Sequence, residues 1–141
     1  MTEVSFYILQ DSELQARWHF ACRLIEKAHR LGHQVLVTVD SAADAQHMDD
    51  LLWNFHPESF VPHRRLDALD QPPAPVEIGI KNEYGDHHDV LVNLSQQVPE
   101  QFSRFERLSE VVVQEPQVLQ STREHFSFYK ARGYPVQWRN L

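Results

Sequence analysis

Short β-forming runs alternate with capped, helix-spaced segments from the first residues onward, and that alternation restricts the folds open to the chain. Val4-Ser-Phe-Tyr-Ile-Leu9 is a brief apolar run ended by polar Gln10-Asp11. Ser12-x-x-Gln15 follows as a capping-box pattern, in which hydroxyl and amide satisfy the first free N–H groups of a helix. Leu14, Ala21, Cys22, Leu24, Ile25, Ala28 and Leu31 then recur at roughly helical spacing, and Gly32 stands where a left-handed C-cap would close the helix. Val35-Leu-Val-Thr-Val39 is a second strand, β-branched and short. Ser41-x-x-Asp44 opens a second helix, with Ala45, Met48, Leu52 and Phe55 along one side. Strand, helix, strand, helix is the order of a parallel-sheet α/β domain with right-handed crossovers.

The second half continues the theme less regularly. Ser59-Phe-Val-Pro62 leads into a polar, proline-rich stretch from Arg64 to Pro75 that reads as a surface loop. Val76-Glu-Ile-Gly-Ile80 and Val90-Leu-Val-Asn-Leu94 are further strands, joined by residues 82–89. Residues 99–108 suit a short helix with Phe102, Phe105 and Leu108 inward, and Val111-Val-Val113 a strand. Pro116 precedes a last helix over about 117–132, closed by Gly133. The expected architecture is one domain over residues 1–141, a three-layer Rossmann-like fold with a mainly parallel sheet.

That fold class usually invites a nucleotide, but the glycines speak against one here. There are four, Gly32, Gly79, Gly85 and Gly133, and no pair has the spacing of a G-x-G-x-x-G turn or a G-x-x-x-x-G-K-[ST] phosphate cradle. No cofactor is expected, and a nucleotide-sensing domain is remote. The formal net charge is −7, unevenly placed: residues 1–116 carry 9 basic and 19 acidic side chains, and residues 117–141 carry 4 basic and 1 acidic. Phosphate binding runs on clustered Lys and Arg, so little direct DNA binding is expected, while a small anion site near the C-terminus is permitted. A single cysteine, Cys22, excludes an internal disulfide and fits a reducing compartment. No apolar run approaches the ~20 residues that span a bilayer, and Met1-Thr-Glu-Val is no signal peptide. A cytoplasmic protein without membrane contact is the expectation.

Candidate chemistry is sparse. Asp86-His87-His88-Asp89 places four metal-ligand types in a row, but neighbours on a strand point to opposite faces, so at most alternate members could meet one ion. An Asp-His-His triplet resembles a motif of metal-dependent phosphoesterases, and a small enzyme of that kind is the alternative reading, although the early strands offer no matching acidic cluster. Cys22 falls on the apolar side of its helix, as a structural thiol would. No Gly-x-Ser-x-Gly elbow is present.

Two segments are more telling. Leu51 to His63 packs Trp53, Phe55, Phe60 and two prolines into a helix exit and the loop after it. Such rings either cap the domain's own core or anchor a partner, since interface anchors are disproportionately aromatic. In the last helix, Leu119, Arg123, Phe126 and Lys130 fall at i, i+4, i+7 and i+11, one apolar and cationic stripe. A core helix with snorkelling cations accounts for much of it, and a groove for an acidic peptide with a hydrophobic end accounts for the local charge reversal.

Together these residues resemble the chi family of bacterial DNA polymerase III holoenzyme subunits. The likeness runs the length of the chain, through Phe6-Tyr7-Ile8-Leu9, the Trp53–His63 block with Ser59-Phe-Val-Pro-His63, Ala74-Pro-Val-Glu-Ile78, Asp89-Val-Leu-Val92 and Arg123-Glu-x-Phe-x-x-Tyr-Lys-x-x-Gly-Tyr134. The resemblance implies a non-catalytic accessory protein of the clamp-loader complex. It would bridge the psi subunit, as a 1:1 pair, to the acidic C-terminal tail of single-stranded DNA-binding protein. By position, psi, or a repair helicase in its place, would meet Trp53 and Phe60 with Leu52, Val61 and Pro62 beside them. The tail would meet Arg123 through its terminal carboxylate, with Phe126, Lys130 and an apolar pocket lined by Val112. Two positions depart from the family pattern: Leu119 stands where a Lys attracts the tail, and Phe126 where a Tyr is familiar.

Overall fold

The computed structural model describes residues 1–55, 58, 60–68 and 70–141. Among the described residues, seven strands and three α-helices follow in chain order: β1 Glu3–Ile8, α1 Leu14–Arg30, β2 Val35–Val39, α2 Ala42–Asn54, β3 His63–Arg65, β4 Val76–Ile80, β5 Val90–Asn93, β6 Arg107–Val112, α3 Pro116–Ala131 and β7 Val136–Asn140. They form one sheet in the order β3-β4-β2-β5-β6-β1-β7, and every pairing is parallel. The expected α/β class is correct, and the sheet is parallel throughout.

Alternation along β1 shows how the layers are divided. Phe6 meets Phe126 and Tyr129 of α3 at 6.2 and 6.1 Å between ring centroids, whereas Tyr7 meets Phe20 of α1 at 5.4 Å. Successive side chains on a strand point to opposite faces, so α1 and α3 cover opposite sides of the sheet. α2 shares the α1 side: the Trp18 ring meets His47 at 4.9 Å, and Cys22 Sγ lies 3.9 Å from Met48 Sδ. β2 is buried at every position, as a strand covered on both faces must be.

The helix ends mostly follow local chemistry. Ser41 Oγ accepts the Asp44 N–H at 3.1 Å, the Glu115 carboxylate accepts the Val118 N–H at 3.0 Å, and Pro116 opens α3 where no N–H is needed. Gly32 and Gly133 take φ of 87° and 78° just beyond α1 and α3. The Ser12 box is the exception: α1 begins at Leu14 behind Glu13, with no side-chain cap. Its amide goes elsewhere, since Gln15 Nε2 lies 3.0 Å from His19 Nε2 one turn on.

Three segments differ from expectation. Residues 99–108 hold only a 3-10 turn, Phe102–Arg104, before β6 begins at Arg107. Phe102, Phe105 and Leu108 are buried as expected, but Arg107 and Leu108 already belong to β6, which pairs between β5 and β1. Tertiary pairing outweighs the local helical pattern there, because Ser109 and Glu110 break the apolar signature of a buried strand. The supposed loop after Pro62 starts with β3, whose strand residues are His63, Arg64 and Arg65. β7 carries little apolar pattern because it is an exposed edge.

Buried charge fastens the β3 side. Glu77, in β4, accepts from Arg64 Nε at 2.6 Å and from the Ala74 N–H at 3.4 Å, and His87 Nε2 lies 3.5 Å away. Among the described residues, no helix is long and apolar enough to cross a membrane.

Candidate functional site

Exposed aromatic side chains collect at the two edges of the sheet. Near the β3 edge, Trp53 in the last turn of α2 is 58% exposed, and Phe60, leading into β3, is 52% exposed. Their rings lie 4.7 Å apart at 35°. The His63 ring meets both, at 5.3 Å and 69° to Trp53 and at 5.9 Å and 48° to Phe60. Its Nδ1 donates to the Val61 carbonyl at 2.7 Å, and its Nε2 lies 3.1 Å from Asp49 Oδ1. The Nδ1 bond anchors the imidazole beside the pair, while among the described residues the buried Nε2 makes no hydrogen bond despite the nearby carboxylate. Leu52 and Val61 are buried, and Pro62 is half-buried. Of the five residues singled out in sequence, Trp53, Phe60 and Pro62 reach solvent, while Leu52 and Val61 lie in the core below. His56, Pro57 and Ser59 of the same block lie outside the described residues.

The β7 edge carries the second group. Phe126 of α3 packs against Trp138 of β7 at 4.9 Å, and Trp138 stacks on Phe6 at 4.7 Å and 25°. Trp138 remains 46% exposed, so the Phe126–Trp138 seam is open to solvent on one side. Arg123, one turn before Phe126, is exposed, as is Lys130, one turn after it. Among the described residues neither is held by a carboxylate. Leu119 is partly buried against the core. Val112, at the end of β6 on the α3 side, is buried. The other C-terminal cations are spent separately: the Arg132 guanidinium lies 3.6 Å from the Phe128 ring centroid, and Arg139 lies 5.6 Å from Tyr7 on the opposite face. Sequence reasoning missed Trp138. The available signal was the alternation Val136-x-Trp138-x-Asn140 after Pro135, which marks a strand with one ring on its α3 side.

A buried polar network fixes α3 in place. The carboxylate of Glu110 accepts from Asn93 Nδ2 at 3.0 Å, from the Tyr129 hydroxyl at 2.7 Å and from His125 Nδ1 at 3.0 Å. His125 Nε2 lies 2.8 Å from the Gln96 carbonyl, so both ring nitrogens face acceptors. Burial opposes charge on this imidazole. The hydrogen bond and the attraction of Glu110 outweigh it, and its pKa rises above the ordinary histidine value. Burial, then the charge of Glu110, pushes the Tyr129 hydroxyl up as well.

The Asp86–Asp89 run does not converge. Asp86 and His88 are exposed, while buried His87 turns its Nε2 to the Ala74 carbonyl at 2.7 Å. Asp89 meets His33 Nδ1 at 2.9 Å and the Gln34 N–H at 3.2 Å. Among the described residues no three His, Cys, Asp or Glu side chains gather as a metal site. The phosphoesterase alternative therefore loses its proposed centre. A cleft of about 400 Å³ lies past the C-terminal ends of the central strands, where open parallel sheets commonly bind ligands. Among the described residues, Asp40 and Glu100 line it against a single cation, Lys81, and Asp40 accepts the Gln96 N–H at 3.1 Å. Cys22 is fully buried, and burial pushes its thiol up to about 12.

A three-layer parallel α/β domain of this kind, with aromatic groups at both sheet edges, defines a Rossmann-like protein whose sequence carries no glycine-rich phosphate-binding turn. Comparison with known proteins narrows the class. The family model described as DNA polymerase III chi subunit, HolC, matches residues 1–137. DNA polymerase III subunit chi of Pseudomonas aeruginosa is 40% identical over 141 residues, covering 100% of this chain and 98% of the relative. The subunit chi proteins of Haemophilus influenzae and Escherichia coli are 28% and 27% identical, over 96% and 95% of this chain and 95% of each relative. The chain belongs to the DNA polymerase III chi subunit family, and its role is that of an accessory subunit in DNA replication.

Proposed function

We propose that the chain is a non-catalytic adaptor that joins two partners at opposite edges of one rigid sheet. The Trp53–Phe60 surface docks the psi subunit as a 1:1 pair, or a repair helicase in its place. The α3–β7 surface holds the acidic C-terminal tail of single-stranded DNA-binding protein. The observation that carries this reading is the separation of the two exposed aromatic groups. β3 and β7 are the outermost of seven strands, and six spacings of ~4.8 Å put the edges about 29 Å apart. Both partners therefore have room to bind at once.

The chemistry suits each partner. Trp53 and Phe60 offer adjoining apolar rings over a fixed imidazole, the kind of anchor that a folded partner buries. Arg123 supplies charge-assisted hydrogen bonds for a terminal carboxylate, and the Phe126–Trp138 seam accepts an aromatic side chain. A contact of that size gives about micromolar affinity, and many such contacts along one coated strand add avidity.

Titration calorimetry with the tail peptide, beside pull-down of psi, tests the reading. Arg123→Ala is expected to remove peptide binding and leave psi binding intact. Phe60→Ala is expected to do the reverse. Unchanged peptide affinity in Arg123→Ala, or psi retained at wild-type level by Phe60→Ala, overturns the corresponding surface.

A further inference from the structure

We propose that β7 is an open docking edge, and that an extended acidic peptide pairs with it as an eighth parallel strand beside the Phe126–Trp138 seam. This rests on the tail-binding reading above and adds the backbone of β7 as part of that site.

The ladder fixes which groups of β7 are free. Val4 N–H donates to the Pro135 carbonyl at 3.0 Å, and Leu141 N–H donates to the Ile8 carbonyl at 3.0 Å. In a parallel pair, alternate residues turn both backbone groups toward the partner. With Val4 opposite Val136 and Phe6 opposite Trp138, the inward residues are Gln137 and Arg139. Val136, Trp138 and Asn140 therefore present N–H and C=O outward, three donors and three acceptors in a row, with the exposed Trp138 at the centre.

The two edges of the sheet are built differently. β3 is only three residues long, and its arginines are engaged: Arg64 with Glu77, and Arg65 with Asp67 and Gln46. Short, occupied edges resist added strands. β7 is five residues long, exposed from Gln137 onward, and its Arg139 meets only Gln137 and the Tyr7 ring among the described residues. An unguarded edge beside a solvent-open aromatic seam fits a peptide that supplies both backbone and an apolar end.

Charge selects the occupant. Residues 117–141 carry four cations and one acid, so a second β7 edge would bring like charges together, whereas an acidic segment is attracted. Geometry also gives the direction. α3 runs back against the strands, and Phe126 lies level with Phe6 and Trp138, so Arg123 sits one turn toward the C-terminal ends of the strands. A peptide whose carboxylate meets Arg123 and whose last ring enters the seam must run in the same direction as β7.

Proline supplies the test, because it removes an N–H without altering the inward ladder when placed at an outward position. The tail peptide of single-stranded DNA-binding protein is titrated into the wild type, Asn140→Ala and Asn140→Pro, with amide hydrogen exchange followed at Trp138 and Asn140. The expected result is affinity weakened about fivefold in Asn140→Pro, little change in Asn140→Ala, and slowed exchange of both amides on peptide addition. Peptides N-methylated at single amides, used with wild-type protein, give a second reading independent of the variant's folding: loss is expected at alternate positions only. Wild-type binding with no added protection and no alternation overturns strand pairing while leaving the tail site standing. No binding to wild type removes both. Protection of Trp138 that grows with protein concentration in the absence of peptide assigns the edge to a second copy and overturns the proposal.

Discussion

His125 Nδ1 lies 3.0 Å from Glu110 Oε2, and both side chains are buried between α3 and β6. The contact ties the helix that carries Arg123 and Phe126 to β6 within the sheet. The folded-state pKa of His125 is raised, and above the ordinary value of about 6.5 the native state binds more protons than the unfolded chain. This contribution is complete below about pH 6.5 and is lost as pH rises through the folded pKa. Urea unfolding between pH 6 and 9 is expected to show stability falling over that window. His125→Gln should flatten this part of the slope and cost about 3–5 kcal/mol near pH 6, as a buried pair losing one partner does.

Cys22 gives a separate probe of global opening. Its thiol is fully buried against Met48, and burial holds its pKa up to about 12, so little thiolate exists at neutral pH. Iodoacetamide at pH 8 is expected to leave the native protein unmodified over hours and to label it at the rate of unfolding in urea. Rapid labelling under native conditions would contradict the closed α1–α2 packing.

The central fold was legible because its determinants are local. Val35-Leu-Val-Thr-Val39 is buried throughout, Ser41 caps α2, and Gly133 follows α3, each as its own few residues dictate. β6 was obscured by Glu110, a charge in a strand interior that is intelligible only once Asn93, His125 and Tyr129 surround it. β7 was obscured for the opposite reason: an exposed edge has no apolar face to leave in the sequence, and Trp138 alone marks it. The site residues divide in the same way. Trp53 and Arg123 stand on helices whose phase could be read, but the closeness of Phe126 to Trp138 depends on β7 lying beside β1.

Trp53 and Phe60 face each other at 4.7 Å and are each more than half exposed, so their removal should separate binding from stability. Trp53→Ala and Phe60→Ala are each expected to cost within about 1 kcal/mol of folding free energy, far below the 3–5 kcal/mol of a buried aromatic. Each should weaken psi binding by about 2 kcal/mol or more, roughly thirtyfold, as hot-spot rings do. Thermal melts and quantitative pull-down measure the two effects. A large drop in melting temperature with intact psi binding would make the rings a cap of the domain rather than an anchor.

Leu119 offers a gain-of-function test of the tail surface. It lies one turn before Arg123 on α3, half-buried, and a Lys there can lay its stem over the same apolar neighbours while its ammonium reaches water. The added charge would stand one turn beyond Arg123, on the side where the peptide's terminal carboxylate ends, so attraction should rise most where screening is weakest. The Debye length falls from about 30 Å at 0.01 M salt to about 3 Å at 1 M. Leu119→Lys is therefore expected to tighten tail-peptide binding about twofold to fivefold near 0.01–0.05 M salt, by the roughly 0.4–1 kcal/mol that an exposed charge pair contributes. Affinities of variant and wild type should converge near 1 M salt, where only the apolar seam and the shielded Arg123 contact remain. Calorimetric titration across that salt series reads both parts. An unchanged affinity at low salt, with the variant folded as wild type, would place the peptide's terminal carboxylate away from the N-terminal half of α3.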